Sequence, residues 1–182
     1  LKVAEVNELA RAMAAGAALT SINCLANKFG EDDLATLLTA IEGTSIRSLC
    51  GLTEGQTTAD FSKQNLKPID CKIIAAEFGF RGFIGAINAI VLDECPITGT
   101  TFGTGYKQHQ GGDYEKIEKL DADLSGFNSL CSSLKSSHIV TISLQKCYLG
   151  PQALILLADA IKFMGALTEV NVAFNQIGSD GG

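Results

Sequence analysis

The stretch from Ala166 to Gly178, ALTEVNVAFNQIG, restricts this chain more than any other. Apolar residues fall at Leu167, Val170 and Val172, a polar stop at Asn175 and a further apolar residue at Ile177. The alternation up to Val172 has the period of a strand. Asn175 stands where that strand must turn, and an Asn side chain can hydrogen-bond the backbone of such a turn. The spacing recurs at Leu19, Ile22, Cys24, Asn27 and Phe29, at Ile87, Ile90, Leu92, Cys95 and Ile97, and at Ile139, Ile142, Leu144, Cys147 and Leu149. A degenerate copy runs through Ala59, Phe61, Gln64 and Leu66. A pattern that returns this often is read first as an internal repeat.

The intervals between turn positions set the architecture. They are 28 residues from Cys147 to Asn175, 31 from Gln64 to Cys95, 37 from Asn27 to Gln64, and 52 from Cys95 to Cys147. The shortest leaves room for a strand, a turn and about three helical turns. Helical faces do appear in the gaps. Leu34, Leu37, Leu38 and Ile41 follow Asn27; Cys71, Ile74, Ala75 and Phe78 follow Gln64; Leu154, Leu157, Ala158 and Ile161 follow Cys147. Each set has i, i+3, i+4, i+7 spacing, one face of a helix, and each begins seven residues after its turn position. Val6, Leu9, Ala10 and Met13 show such a face before the first strand, and Phe127, Leu130, Cys131 and Leu134 before the fourth. Gly30, Gly99, Gly150, Pro68 and Pro151 punctuate the strand-to-helix turns, the prolines suiting a first helical turn.

Two segments break the rhythm. Ile46 and Leu49 sit where a strand should follow the second helix, yet Ala59 and Phe61 open another strand about ten residues later. Adjacent parallel strands need a crossover of a dozen or more residues, so residues 44–58 are expected to hold either a loop or a local hairpin. Residues 100–123 are polar and glycine-rich, and read as an exposed insertion leading into a helix near Ser125.

Composition closes off several classes. A net charge of −6 argues against nucleic acid and anionic membrane surfaces as partners. No run of about 18 apolar residues offers a membrane span. The six cysteines contain no CxxC pair, which disfavours structural zinc, and most fall on positions that want a small buried group. They are expected to be reduced thiols in a cytoplasmic protein, with Cys50 the one to test for reactivity.

On the motifs LTSINCLANKFG, INAIVLDECPITG, IVTISLQKCYLG and LTEVNVAFNQIG, with helices such as PQALILLADAIKFM between them, the chain resembles the leucine-rich repeat family, in its ribonuclease-inhibitor-like class. The resemblance implies an α/β solenoid, a horseshoe with a parallel β-sheet on its concave side and α-helices on its convex side. It would form a single domain over 1–182, with irregular insertions at about 44–58 and 100–123. The chain begins inside a helix and stops where another would start, so it is expected to be a fragment of a longer array. Members of the family are mostly protein-binding scaffolds, so the resemblance implies a non-enzymatic scaffold with a protein partner on the concave face. Ran GTPase-activating proteins share the repeat type, which makes a GTPase activator the alternative; only Arg11, Arg47 and Arg81 are present and none falls on the concave face in this register. A structural or sensing region of a larger multidomain protein is the remaining reading.

In this register the residues between strand apolar positions face outward. The candidates for partner binding are Asn23, Asp60, Lys63, Asp93, Glu94, Lys146, Glu169, Asn171 and Phe174, with Phe174 the only aromatic and the natural anchor. Asp60, Asp93 and Glu94 do not make an acid–base pair, because an open face does nothing to desolvate them. The segment TGTTFGTGYK lacks a phosphate-loop pattern. His109 and His138 lie in unrelated segments, and no catalytic residues, metal ligands or cofactor are expected.

Overall fold

The computed structural model describes residues 3–16, 18–79, 82–109 and 112–176. The helices and strands follow in the order α1 (Val3–Ala15), α2 (Glu31–Ile41), β1 (Thr58–Asp60), α3 (Pro68–Glu77), β2 (Ala89–Val91), β3 (Thr101–His109), β4 (Gly112–Lys119), α4 (Ser125–Leu134), β5 (Thr141–Ser143), α5 (Pro151–Ile161) and β6 (Glu169–Asn171). The strands β1, β2, β5 and β6 form a parallel four-stranded sheet in that order. Its register is unbroken: Thr58, Ala89, Thr141 and Glu169 are aligned, as are Asp60, Val91, Ser143 and Asn171. Between those rows Ala59, Ile90 and Ile142 are buried against the helices.

Helix starts follow from local chemistry. Gly30 caps α2, its N–H donating to the Asp33 carboxylate at 2.8 Å. Pro68 opens α3, and Asp70 accepts the Lys67 N–H at 2.7 Å. Pro151 opens α5, where the N–H groups of Gly150, Gln152 and Ala153 all donate to Asp121 at 2.9–3.0 Å. A carboxylate at a helix N-terminus satisfies donors that have no intrahelical partner and meets the positive end of the dipole. Helix α1 packs on α2, α3 on α4, and α4 on α5.

The turn positions are tied into a ladder. The Cys95 thiol donates to the Phe61 carbonyl at 3.4 Å, the Cys147 thiol to that of Leu92 at 3.1 Å, and the Asn175 amide to that of Leu144 at 2.7 Å. Each bond therefore links a turn to the same point of the preceding strand. Asn175 also accepts the N–H groups of Cys147 and Leu149, both at 3.0 Å. Thiol and amide fill one role because both are small and can donate into a buried carbonyl.

Several expectations are corrected. Residues 100–123 are not an irregular insertion: β3 and β4 pair as an antiparallel hairpin, with Phe102 edge-on to Tyr148 at 4.9 Å. Of the two alternatives for residues 44–58, the loop is what the structure has, up to the start of β1 at Thr58, and not a local hairpin. Ser48 and Cys50 instead bridge back to Ser21 and Asn23, so 46–50 pairs with the first copy, and no strand pairing among the described residues joins 46–50 to β1. The first copy makes only these isolated bridges, and Leu19 is 37% exposed, so it leaves the core position its spacing suggested. In α5 the buried face is Ala153, Leu157 and Ala160, continued by Met164, while Leu154 and Ile161 are half-buried and Ala158 is exposed. Among the described residues only α4 flanks α5, so its apolar stripe is turned toward that neighbour and the sheet. Ile177 lies outside the described residues.

All six cysteines are buried and unpaired, Cys50 included at 3% exposure. Burial pushes the Cys24 thiol up to about 11 and those of Cys131 and Cys147 to about 12, and raises Cys50 and Cys71 well above the ordinary range. The thiolate is the reactive species. A thiol reagent should therefore label none of the six in the native protein within minutes and all six in denaturant; rapid native labelling of Cys50 would contradict its burial.

Candidate functional site

The sheet carries its core on one face, which leaves the aligned rows beginning at Thr58 and Asp60 on the other. Eight of the nine candidates fall into three groups, and Glu169 stands apart from them. Asp60 and Asn171 occupy one row, but each side chain turns back on its own strand end. Asp60 accepts the Ser62 N–H at 2.9 Å and Asn171 the Ala173 N–H at 3.0 Å. Asn23 does the same with Leu25 at 3.0 Å. These are Asx turns, a local use that needs no ligand. The bonds from Ser62 hold the Asp60 carboxyl below its usual range. Asn23 is a correction in place as well: its strand pairs with 46–50, not with the four-stranded sheet, so it does not share the row.

Asp93 forms a second kind of contact. It accepts the Ser143 hydroxyl at 2.7 Å and the Gln145 N–H at 2.8 Å, joining consecutive units across the open face. The Asn171 amide reaches Gln145 in turn at 3.3 Å. Asp60, Asp93 and Asn171 thus have structural partners, and the face they line is pre-ordered.

Lys63, Glu94, Lys146 and Phe174 form the third group, and here the strand-face reading is corrected. They sit in the turns, each one residue before a turn position, at φ of 59°, 59°, 55° and 57°; Ala26 before Asn27 has φ 59°. Five units thus place a residue other than glycine in the left-handed region at the same point. The geometry throws the side chains outward into a row along the ends of the strands. Within it Lys63 and Lys146 flank Glu94 at 3.5 and 3.4 Å. The Lys146 ammonium, with Lys63 beside it, holds the Glu94 carboxyl below its usual range. The row ends on Phe174, 77% exposed. Glu169 stands exposed at the start of β6. No common residue type marks the row, so the sequence offered no signal for it.

Other possibilities find little support. Arg11 pairs with Glu8, and the Arg47 guanidinium donates to the carbonyls of Thr44 and Ile46 at 3.0 Å. Arg81 and the side chain of His109 lie outside the described residues. His138 is exposed and lines a cleft of about 270 Å³ with Phe78, Ile84 and Ser137, beside the starts of β2 and β5. Among the described residues no cluster of three His, Cys, Asp or Glu could hold a metal ion, and no helix is long and apolar enough to cross a membrane. Compared with models of known protein families and with curated protein sequences, the chain finds no match in either.

Proposed function

We propose that the chain forms a leucine-rich repeat array of the ribonuclease-inhibitor-like class and acts as a non-enzymatic scaffold. It holds a protein partner on the open sheet face and the turn row beside it. The parallel sheet, the strand–turn–helix order and the ladder of turn positions support the repeat reading. The observation that carries the functional reading is Phe174, an aromatic side chain 77% exposed on a left-handed backbone. Left-handed backbone costs a residue with a Cβ about 1–2 kcal/mol that glycine avoids. Folding has no use for an exposed phenyl ring there, whereas burial of such a ring in a partner is a common source of interface energy. The ordered neighbours Asp93, Gln145 and Asn171 lower the entropy lost on binding.

Photo-crosslinking tests this in cells that make the protein. A crosslinkable residue at Phe174 or Glu169 should capture one and the same protein, and one at Gln152 or Lys162 on α5 should not. Crosslinks from α5 alone, or from neither surface, would sink the reading. With the partner in hand, Phe174→Gly should weaken its binding about tenfold or more. The same substitution should not lower the midpoint of denaturation, because it relieves backbone strain. Loss of binding together with loss of stability would instead make Phe174 a folding residue.

A further inference from the structure

The molecule has two hydrogen-bonded blocks. Residues 21–24 pair with 46–50, and β1, β2, β5 and β6 pair with one another, but no strand ladder joins the two sets among the described residues. Helix α3 spans the seam. It buries two carboxylates seven residues apart, Asp70 and Glu77, both at 0% exposure. Asp70 accepts the Ala26 N–H at 2.7 Å, reaching the first copy's turn. One oxygen of Glu77 accepts the Ser48 hydroxyl at 2.8 Å, the Cys50 N–H at 2.7 Å and the Leu49 N–H. These bonds stand where a neighbouring strand would otherwise supply carbonyls. The other oxygen, Oε2, is buried and has no hydrogen-bond partner among the described residues.

Among the described residues the groups facing Glu77 offer hydrogen-bond donors to one oxygen but no positive charge, and burial outweighs those donors. From the N-terminal block they are the hydroxyl of Ser48 and the thiols of Cys50 and Cys24, both held protonated by burial. From α3 the charge felt at the neighbouring Cys50 besides Glu77 is Asp70, another acid, itself beside Lys67. Lys72 is paired with Glu31 on the outer flank, and α4 contributes Cys131 and Ser133 on the far side of the helix. A buried carboxylate with one oxygen unpaired and, among the described residues, no cation beside it is costly, and protonation lowers that cost.

We propose that α3 is a proton-operated hinge: the N-terminal block stays docked while Glu77 holds its proton and loosens as the proton leaves. Burial raises the Glu77 carboxyl above 4.5, and Asp70 above 3.8 in the same sense. The docked state thus binds the proton more tightly than the open state. Its contribution is complete below the ordinary value and is lost as pH climbs through the raised one. The hinge is independent of what the exposed face binds.

Amide hydrogen exchange on the full chain, read residue by residue from about pH 4 to about pH 8 and corrected for intrinsic rates, tests it. Protection of the Leu49 and Cys50 amides, divided by that of Leu92 and Leu144 in the four-stranded sheet, should fall by up to about tenfold per pH unit above the ordinary glutamate value, then level off. A constant ratio would overturn the proposal. Glu77→Gln should abolish the pH dependence of the ratio; its persistence would also overturn the hinge. Should that variant not fold, the carboxyl carbon of Glu77 in the native protein serves instead. A titration midpoint above the ordinary value, moving together with the Leu49 and Cys50 amides, supports the hinge, and a midpoint at or below it refutes it.

Discussion

Replacing Gly126 by alanine should cost on the order of 3–5 kcal/mol, or prevent folding outright. A Cβ at Gly126 would stand 1.7 Å from the carbonyl oxygen of Pro68, 2.4 Å from its carbon and 2.9 Å from its Cα. All three are backbone atoms, so no side chain can swing aside, and α4 would have to retreat from α3. That interface packs Phe127, Leu130, Cys131 and Leu134 into the same core as Cys71 and Ile74. A helix forced outward leaves voids along its whole length, and dense cores do not absorb them. A domain of this size has roughly 5–15 kcal/mol of stability in all. Gly85→Ala and Gly165→Ala are the controls, since an added Cβ meets nothing within 4 Å at either place, and both should stay within about 0.5 kcal/mol of the parent. Denaturant midpoints followed by circular dichroism decide the matter. A Gly126→Ala midpoint equal to those of the controls would mean that the close approach of α4 to Pro68 is not required.

Glu77→Ala should be nearly as damaging, by a different route. Truncation strands the Ser48 hydroxyl and the Leu49 and Cys50 N–H groups in a dry interior. Each orphaned donor costs about 1–3 kcal/mol, partly offset because a strained buried acid is also removed, so a net loss of roughly 3–5 kcal/mol is expected. Glu77→Gln keeps one acceptor and should cost about 1 kcal/mol or less at neutral pH. The alanine variant should lose exchange protection first at Ala26, Leu49 and Cys50, with the four-stranded sheet unfolding later. A uniform loss in both blocks would show that the seam is not where the protein yields.

The features legible in the sequence depend on neighbours within one unit. Strand alternation at Ile90–Leu92 or Ile142–Leu144, the helix face of Leu34, Leu37 and Ile41, and the equivalence of Cys95, Cys147 and Asn175 are all written within about ten residues, and the structure carries each of them. What stayed hidden depends on distant partners. Glu77 has meaning only opposite Ser48 and Cys50, 29 and 27 residues away, and its helix reads as four apolar positions with two acids on the side. Asp70 and Glu77 are i and i+7, a shared face that could have drawn notice. The hairpin was obscured by its glycines, Gly103, Gly105 and Gly112, a residue type depleted in strands. Of the candidate site, the row of Asp60 and Asn171 was legible. The turn row was assigned to the wrong part of the unit, because backbone handedness at Lys63, Glu94, Lys146 and Phe174 leaves no mark on residue type.

The hairpin has one more consequence, for the spacing of the chain. Its two feet lie side by side, the Asp121 N–H reaching the Thr100 hydroxyl at 3.4 Å, and Asp121 beyond it caps α5. Without 101–119 the Cys95–Cys147 interval shrinks from 52 residues to 33, inside the 28–37 found elsewhere. The ribbon thus leaves and rejoins the unit at one closed point, and β2 and β5 on either side of it stay paired in register.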